Sequence, residues 1–265
     1  MLFDQIVYGP IHSRRLGISL GMNLMPTEAK LCTFDCVYCE CGFNGKVENP
    51  VLPTRSDVAL ALEQKLQALQ AEGVTPDVIT FSGNGEPTLH PEFRCIIEDT
   101  CHLRNTYCPT AKVSVLSNST QLGREDVRLA LMMCDNRILK LDSALTPTMR
   151  LIDQPVNTEL TAERIIELLE MFHGQFTLQT CFLRGDVTSP NPCRKDYLLG
   201  HIDNTTPEEL EAWYAAVRRL KPEHIMIYVI DRATPVKTLE KISPDEMHAI
   251  ARPLQDEGFD VMVCS

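Results

Sequence analysis

The chain has no long apolar run. Its longest clean one, IMIYVI at 225–230, is far too short for a membrane-spanning helix. Its first residues, MLFDQIVYGPIHSRR, hold no apolar stretch behind a basic start, so no secretory leader is read there and the expected location is cytoplasmic. A basic excess is also missing. There are 25 Lys and Arg against 36 Asp and Glu, a net charge of −11, and the tightest basic groups are Arg14-Arg15 and Arg218-Arg219 with Lys221. Duplex nucleic acid is held by a stripe of cations that displaces counterions, so this balance makes nucleic acid a less favoured partner than a small molecule, a peptide or a protein. Repeats, low-complexity tracts and long linkers are absent as well, and 265 residues with 44% hydrophobic content are read as a single domain over 1–265 with a sizeable core.

What the chain has is cysteine, eleven in all. An odd number without a secretory signal argues against a disulfide framework, because cytosolic thiols are kept reduced, and turns attention to metal or catalysis. Residues 31–43 read LCTFDCVYCECGF, with Cys32, Cys36 and Cys39 spaced C-x3-C-x2-C and Cys41 close behind. Three thiolates on one tight loop can reach three corners of a cubane iron–sulfur cluster and leave the fourth iron without a protein ligand. The competing metal is zinc, whose structural sites want four closed ligands, usually from two separated C-x2-C knuckles. No second knuckle exists here; Cys41 could serve as a fourth ligand in principle, although C-x-C spacing from Cys39 would crowd the site.

The rest of the chain alternates strand-like apolar runs with helical patterns. The runs are 16–24, 77–83, 112–118, 137–143, 175–182 and 224–230, with a last short one at 259–264 that could close an edge. Helical spacing places Val58, Leu62, Leu66 and Leu69 on one face of 56–71, behind a cap at Ser56. The segment 161–173 does the same with Ile165, Leu168, Leu169 and Phe172, and 207–220 and 244–257 are two further helices. Near-continuously apolar strands are buried on both faces, which means a parallel sheet covered by helices. The expected fold is α/β, a partial (β/α)6 barrel of parallel strands, with the chemistry on loops after the strands' C-terminal ends. The cysteine loop directly follows the first run and falls on that side.

With its aromatic before the last cysteine, CTFDCVYC resembles the signature loop of the radical S-adenosylmethionine (SAM) superfamily. The resemblance implies a [4Fe–4S] cluster held by Cys32, Cys36 and Cys39, whose open iron chelates SAM and whose electron cleaves it to methionine and a 5′-deoxyadenosyl radical. It implies Tyr38 beside the adenine and an electron donor such as flavodoxin or ferredoxin. FSGNGEPTLHPEF at 81–93 resembles the superfamily's Gly-Gly-Glu-Pro motif but is one residue longer, reading Gly83-Asn84-Gly85-Glu86-Pro87. Glycines allow close backbone approach and a carboxylate suits an ammonium group, so Gly83, Gly85 and Glu86 are expected at SAM's amino group. By the same resemblance Ser117 and Asn118 contact SAM's ribose or carboxylate. Asp142, Gln179 and Tyr228, polar positions in otherwise apolar runs, complete the pocket, with Asp231 and Arg232 in the following IDRATP turn.

GPIHSRRLGISLGMNLMP, SGNGEPTLHP, KLD and IDRATP are further similar to small radical SAM proteins related to the wybutosine-type tRNA-modification enzymes, whose substrates are mostly unestablished. The expected activity is therefore a radical SAM enzyme, of iron–sulfur oxidoreductase or lyase type, abstracting hydrogen from an unidentified peptide, protein or small metabolite. The alternatives are tRNA base modification, or a non-catalytic iron–sulfur or zinc protein. Cys95, Cys101, Cys108, Cys134, Cys181, Cys193 and Cys264 lack metal-ligand spacing and read as ordinary thiols, with Cys181 the first candidate for a hydrogen-atom donor. His12 and His90 read as turn or surface histidines.

Overall fold

A computed structural model of the chain describes residues 2–13, 17–45, 48–187 and 200–264. Arg14-Arg15 and Cys193 lie outside them. The chain divides into two compact units: Met1–Cys32, Gly45–Ser117 and Gln121–Ile138 form the first, and Thr33–Asn44, Asn118–Thr120 and Leu139–Ser265 the second.

In the first unit an antiparallel hairpin of β1 (Val7–Ser13) and β2 (Gly17–Met22) leads into parallel strands β3 (Val78–Phe81) and β4 (Lys112–Ser117), in the order β1-β2-β3-β4. The hairpin partner β1 was not expected. Between these strands run α1 (Arg55–Ala71) and α2 (Phe93–Tyr107), and α3 (Glu125–Met133) follows β4. The expected face of α1 is the buried one: Val58, Leu62, Leu66 and Leu69 are at most 3% exposed. Burying each contributes about 1.5–3 kcal/mol. Its cap is Thr54 and not Ser56. Thr54 accepts from the Asp57 amide while the Asp57 carboxylate accepts from the Thr54 amide, a reciprocal box that satisfies two orphan donors.

The division between units falls inside β5 (Asn136–Lys140). The second unit continues with α4 (Thr146–Asp153), α5 (Ala162–Glu170), β6 (Thr177–Asp186), β7 (His201–Asp203), α6 (Pro207–Leu220), β8 (His224–Val229), β9 (Leu239–Lys241), α7 (Pro244–Asp256) and β10 (Val261–Cys264). β6, β8 and β10 are parallel neighbours, so the last apolar run does form an outer strand. β7 and β9 pair antiparallel with the far half of β6, a small addition the sequence reading lacked. The expected helices at 161–173, 207–220 and 244–257 are α5, α6 and α7, shorter by a few residues at most, with side-chain caps at Thr161, Thr206 and Ser243. Among the described residues the strands are mostly parallel with helices between them, an α/β arrangement, and the strand order runs from β1 to β10 without closing on itself.

Candidate cofactor site

The Gly83–Glu86 turn follows β3 and carries backbone bonds that organise the first unit. Leu31 N–H donates to Asn84 O at 2.8 Å and Glu86 N–H to Leu31 O at 3.1 Å, so Leu31 and Gly85 form a parallel bridge just before Cys32. A Cβ on Gly85, at φ +146°, would sit 1.8 Å from Leu31 O; one on Gly83, at φ +127°, would sit 2.7 Å from Asn23 Oδ1. Close approach therefore explains both glycines, and what approaches is the chain's own backbone and Asn23. Asn84, the additional residue of this turn, is fully buried. Its side chain donates to Phe3 O and Pro26 O and accepts from Phe3 N–H, pinning the N-terminal segment to the turn.

Glu86 is 2% exposed. Its Oε1 accepts from the Thr88 amide at 3.1 Å, the Thr88 hydroxyl at 2.5 Å and Ser117 Oγ at 2.9 Å, and it caps a short 3-10 turn at Pro87–Leu89. Two residues named from the sequence, Glu86 and Ser117, are thus brought together at the ends of β3 and β4. Neighbouring His90, expected in a turn or on the surface, is in a turn but buried: its Nε2–H donates to Pro53 O and its Nδ1 accepts from the Glu92 amide.

In the second unit the cysteine loop is stitched to the C-terminal end of α4. Asp35 N–H donates to Asp153 O and Val37 N–H to Ile152 O, both at or within 2.9 Å, using carbonyls that a helix end leaves without partners. Cys36 lies between these two anchors. Asp35, itself fully buried, accepts from the Asn44 amide at 2.6 Å and ties the two ends of the loop together. Asn118 donates to Thr33 Oγ1 at 2.8 Å and accepts from Thr120, so its side chain fastens the loop's first residues to the Asn118–Thr120 segment.

At the end of β5, Lys140 is the centre of a buried polar group. Its Nζ donates to Asp153 Oδ1 at 2.5 Å and to Cys36 Sγ at 2.9 Å, and lies 3.0 Å from Asp142 Oδ2. It also stands 5.2 Å and 4.9 Å from the ring centres of Phe34 and Tyr38. Burial alone lowers a lysine's pKa, but Asp142, Asp153 and Cys36 outweigh it and hold the ammonium well above its ordinary value. One cation cannot balance two carboxylates: burial, with Asp142 adding to it against the pull of Lys140, pushes the Asp153 carboxyl up to about 7.

Asp142 binds in three directions. It accepts from Tyr38 OH at 2.5 Å and from the Cys181 amide at 2.9 Å, besides facing Lys140. Tyr228 OH donates to Tyr38 OH at 3.3 Å, edge-on to its ring. Burial first, then Asp142, raises the Tyr38 phenol well above its ordinary pKa. Asn204, which no sequence signal marked, donates to Asp142 O and Cys181 O and accepts from the Leu183 amide. Cys181 itself has no exposed surface and belongs to an apolar cluster with Val37, Ile152, Leu183, Ile202 and Val236. The structure thus gathers Tyr38, Asp142, Cys181, Tyr228 and Cys36 around Lys140. Gln179 stands apart, its amide donating to Met226 Sδ. Arg232 pairs with Glu40 on the cysteine loop at 2.7 Å, and Asp231 faces Lys241 at 3.7 Å.

Cys32 belongs to the first unit, Cys36 and Cys39 to the second, and none of the three is in a disulfide. Among the described residues, no three His, Cys, Asp or Glu side chains converge as for a single metal ion. No family model matches the chain. It is 28% identical over 245 residues to GTPase Obg of Brachyspira hyodysenteriae, covering 91% of this chain and 32% of that one, and 33% identical over 173 residues to a UPF0026 protein of Methanocaldococcus jannaschii, covering 64% and 50%. The chain thus spans a third to a half of the length of these relatives. Among solved structures, a radical SAM methyltransferase from Sphaerobacter thermophilus superposes with a TM-score of 0.64 at 14% identity, covering 93% of this chain and 66% of that one. The fold is the radical SAM fold. Streptococcus suis SuiB bound to S-adenosylmethionine shows it too, with a TM-score of 0.60 at 13% identity over 91% of this chain and 50% of that one. At this level of identity the likeness is one of fold.

Proposed function

We propose that the chain is a radical SAM enzyme, and the observation that carries the reading is the C-x3-C-x2-C loop on a radical SAM fold. The donor set fits the cofactor: three soft thiol ligands within eight consecutive positions, none in a disulfide, on a loop whose backbone is clamped by Asp35 and by the end of α4. Cys32, Cys36 and Cys39 hold a [4Fe–4S] cluster. Once bound, that cluster supplies one electron for reductive cleavage of SAM to methionine and a 5′-deoxyadenosyl radical.

The remaining work belongs to the chain. Glu86, its Oε1 fixed by Thr88 and Ser117, orients toward the amino group of SAM, and the Gly83–Gly85 turn presents its backbone alongside. Tyr38, held by Asp142 and Tyr228, offers its ring to the adenine. The apolar surroundings of Cys181 keep water away from a reactive carbon radical. A net charge of −11 favours a peptide, protein or small metabolite as substrate over a nucleic acid. A one-electron donor such as flavodoxin or ferredoxin completes the requirements.

The test is anaerobic reconstitution with iron and sulfide, followed by metal analysis and electron paramagnetic resonance of the reduced protein. Wild type should take up about four irons and show a reduced-cluster signal that SAM perturbs. The variant with all three cysteines replaced by alanine should hold none. An unperturbed signal, or a full cluster in the triple variant, contradicts the reading.

A further inference from the structure

We propose that Lys140 is a positioning residue that sets the reduction potential of the cluster through a charged hydrogen bond to the Cys36 sulfur. This rests on the reading of Cys36 as an iron ligand. Lys140 Nζ lies 2.9 Å from Cys36 Sγ, well within the distance of a hydrogen bond to sulfur. Its direction is over-determined. Asp153 takes a second N–H at 2.5 Å, Asp142 stands 3.0 Å away, and the rings of Phe34 and Tyr38 flank the ammonium. The side chain is 10% exposed and that of Asp153 2%, so water screens this contact little.

The groups in direct contact with the Lys140 ammonium are Phe34, Cys36 and Tyr38 on the cysteine loop, Asp142 just past β5 and Asp153 ending α4, with Tyr228 on β8 and Cys181 on β6 behind them. Asp153 also receives the backbone of the loop, since Asp35 N–H donates to its carbonyl. One residue thus fixes both the lysine and the loop beside Cys36. A structural ion pair would need only the carboxylates. The third contact, to the sulfur, is the one that requires a further role.

The electronic consequence follows from general cluster chemistry. One-electron reduction adds negative charge that spreads onto the thiolates, and a hydrogen bond or cation at a ligating sulfur stabilises the reduced state and raises the potential. The cation then makes the reduction that precedes SAM cleavage easier, while Asp142 and Asp153 temper it and keep the lysine in place.

The experiment is an anaerobic redox titration, with dithionite as reductant and mediators, followed by electron paramagnetic resonance on reconstituted wild type, Lys140→Met and Lys140→Met/Asp153→Asn. The double variant removes the ammonium together with the carboxyl group it donates to, which guards against a fold lost to a buried carboxyl left without its donor. The expected result is a full complement of iron with a midpoint shifted to more negative potential in the single variant, the double variant, or both. A full cluster at the wild-type potential in both overturns the proposal. So does loss of the cluster from both, since the lysine would then serve folding alone. Failure of wild type itself to bind iron would instead refute the underlying reading of the cysteines.

Discussion

At the scale of single residues, the structure gives Glu86 a double burden. Replacing it with alanine removes the group proposed to meet the SAM amino group and also the acceptor used by the Thr88 amide and by the Thr88 and Ser117 hydroxyls, at about 1–3 kcal/mol for a buried donor that loses its acceptor. Glu86→Ala should weaken SAM binding at least about tenfold, or 1.4 kcal/mol, by anaerobic calorimetry, and Glu86→Gln, which keeps an acceptor, should lose less. Unchanged affinity in both would count against the assignment. Gly85 makes a second test, because a methyl there meets Leu31 O in a backbone region that L-residues avoid. Gly85→Ala should lower the melting temperature by several degrees or abolish folding. Asp153 gives a pH test. Its pKa rises from about 3.9 unfolded to about 7 folded, so its proton stabilises the native state fully below pH 4, and this contribution is lost as pH rises through 7. The stability of iron-free Asp153→Asn relative to wild type should therefore increase between pH 4 and 8; a flat difference would contradict the assignment. The sequence marked Glu86, Gly85 and Asp142 by motif. It showed Lys140 only within KLD, beside its near partner Asp142, and gave no role to Asp35, Asn204 or Asp153; the other partners of these residues lie from 9 to 104 positions away and leave no local spacing to read.

At the scale of elements, legibility followed amphipathic length. The spacing in 56–71, 161–173, 207–220 and 244–257 revealed four helices because each buries a periodic stripe. α4 is too short for a period to stand out, and the apolar positions Phe93, Ile96 and Ile97 of α2 are diluted by polar neighbours. β7 and β9, of three residues each, lie below any strand signal, and Gly9-Pro10 inside β1 reads as a turn. The cap of α1 separates the two readings by experiment. Thr54→Ala should cost about 1 kcal/mol in denaturant unfolding and Ser56→Ala much less, and equal effects would contradict the observed cap.

At the scale of the whole molecule, the open parallel architecture could be read from apolar strands alternating with helices, and it matches solved radical SAM enzymes over more than nine-tenths of the chain. The chain divides into two compact units, with the boundary inside β5, Cys32 in the first and Cys36 and Cys39 in the second. No composition signal accompanies that boundary, because both units are built from the same alternation of strand and helix. Substrate identity was not legible either. A net charge of −11 sets a preference among classes and selects no molecule within one. The most direct test of the central claim is the quantity of 5′-deoxyadenosine formed when the reconstituted, reduced protein is incubated anaerobically with SAM. Formation of 5′-deoxyadenosine together with methionine, absent from the triple cysteine variant, is the expected result; none from protein carrying its full iron would contradict the account.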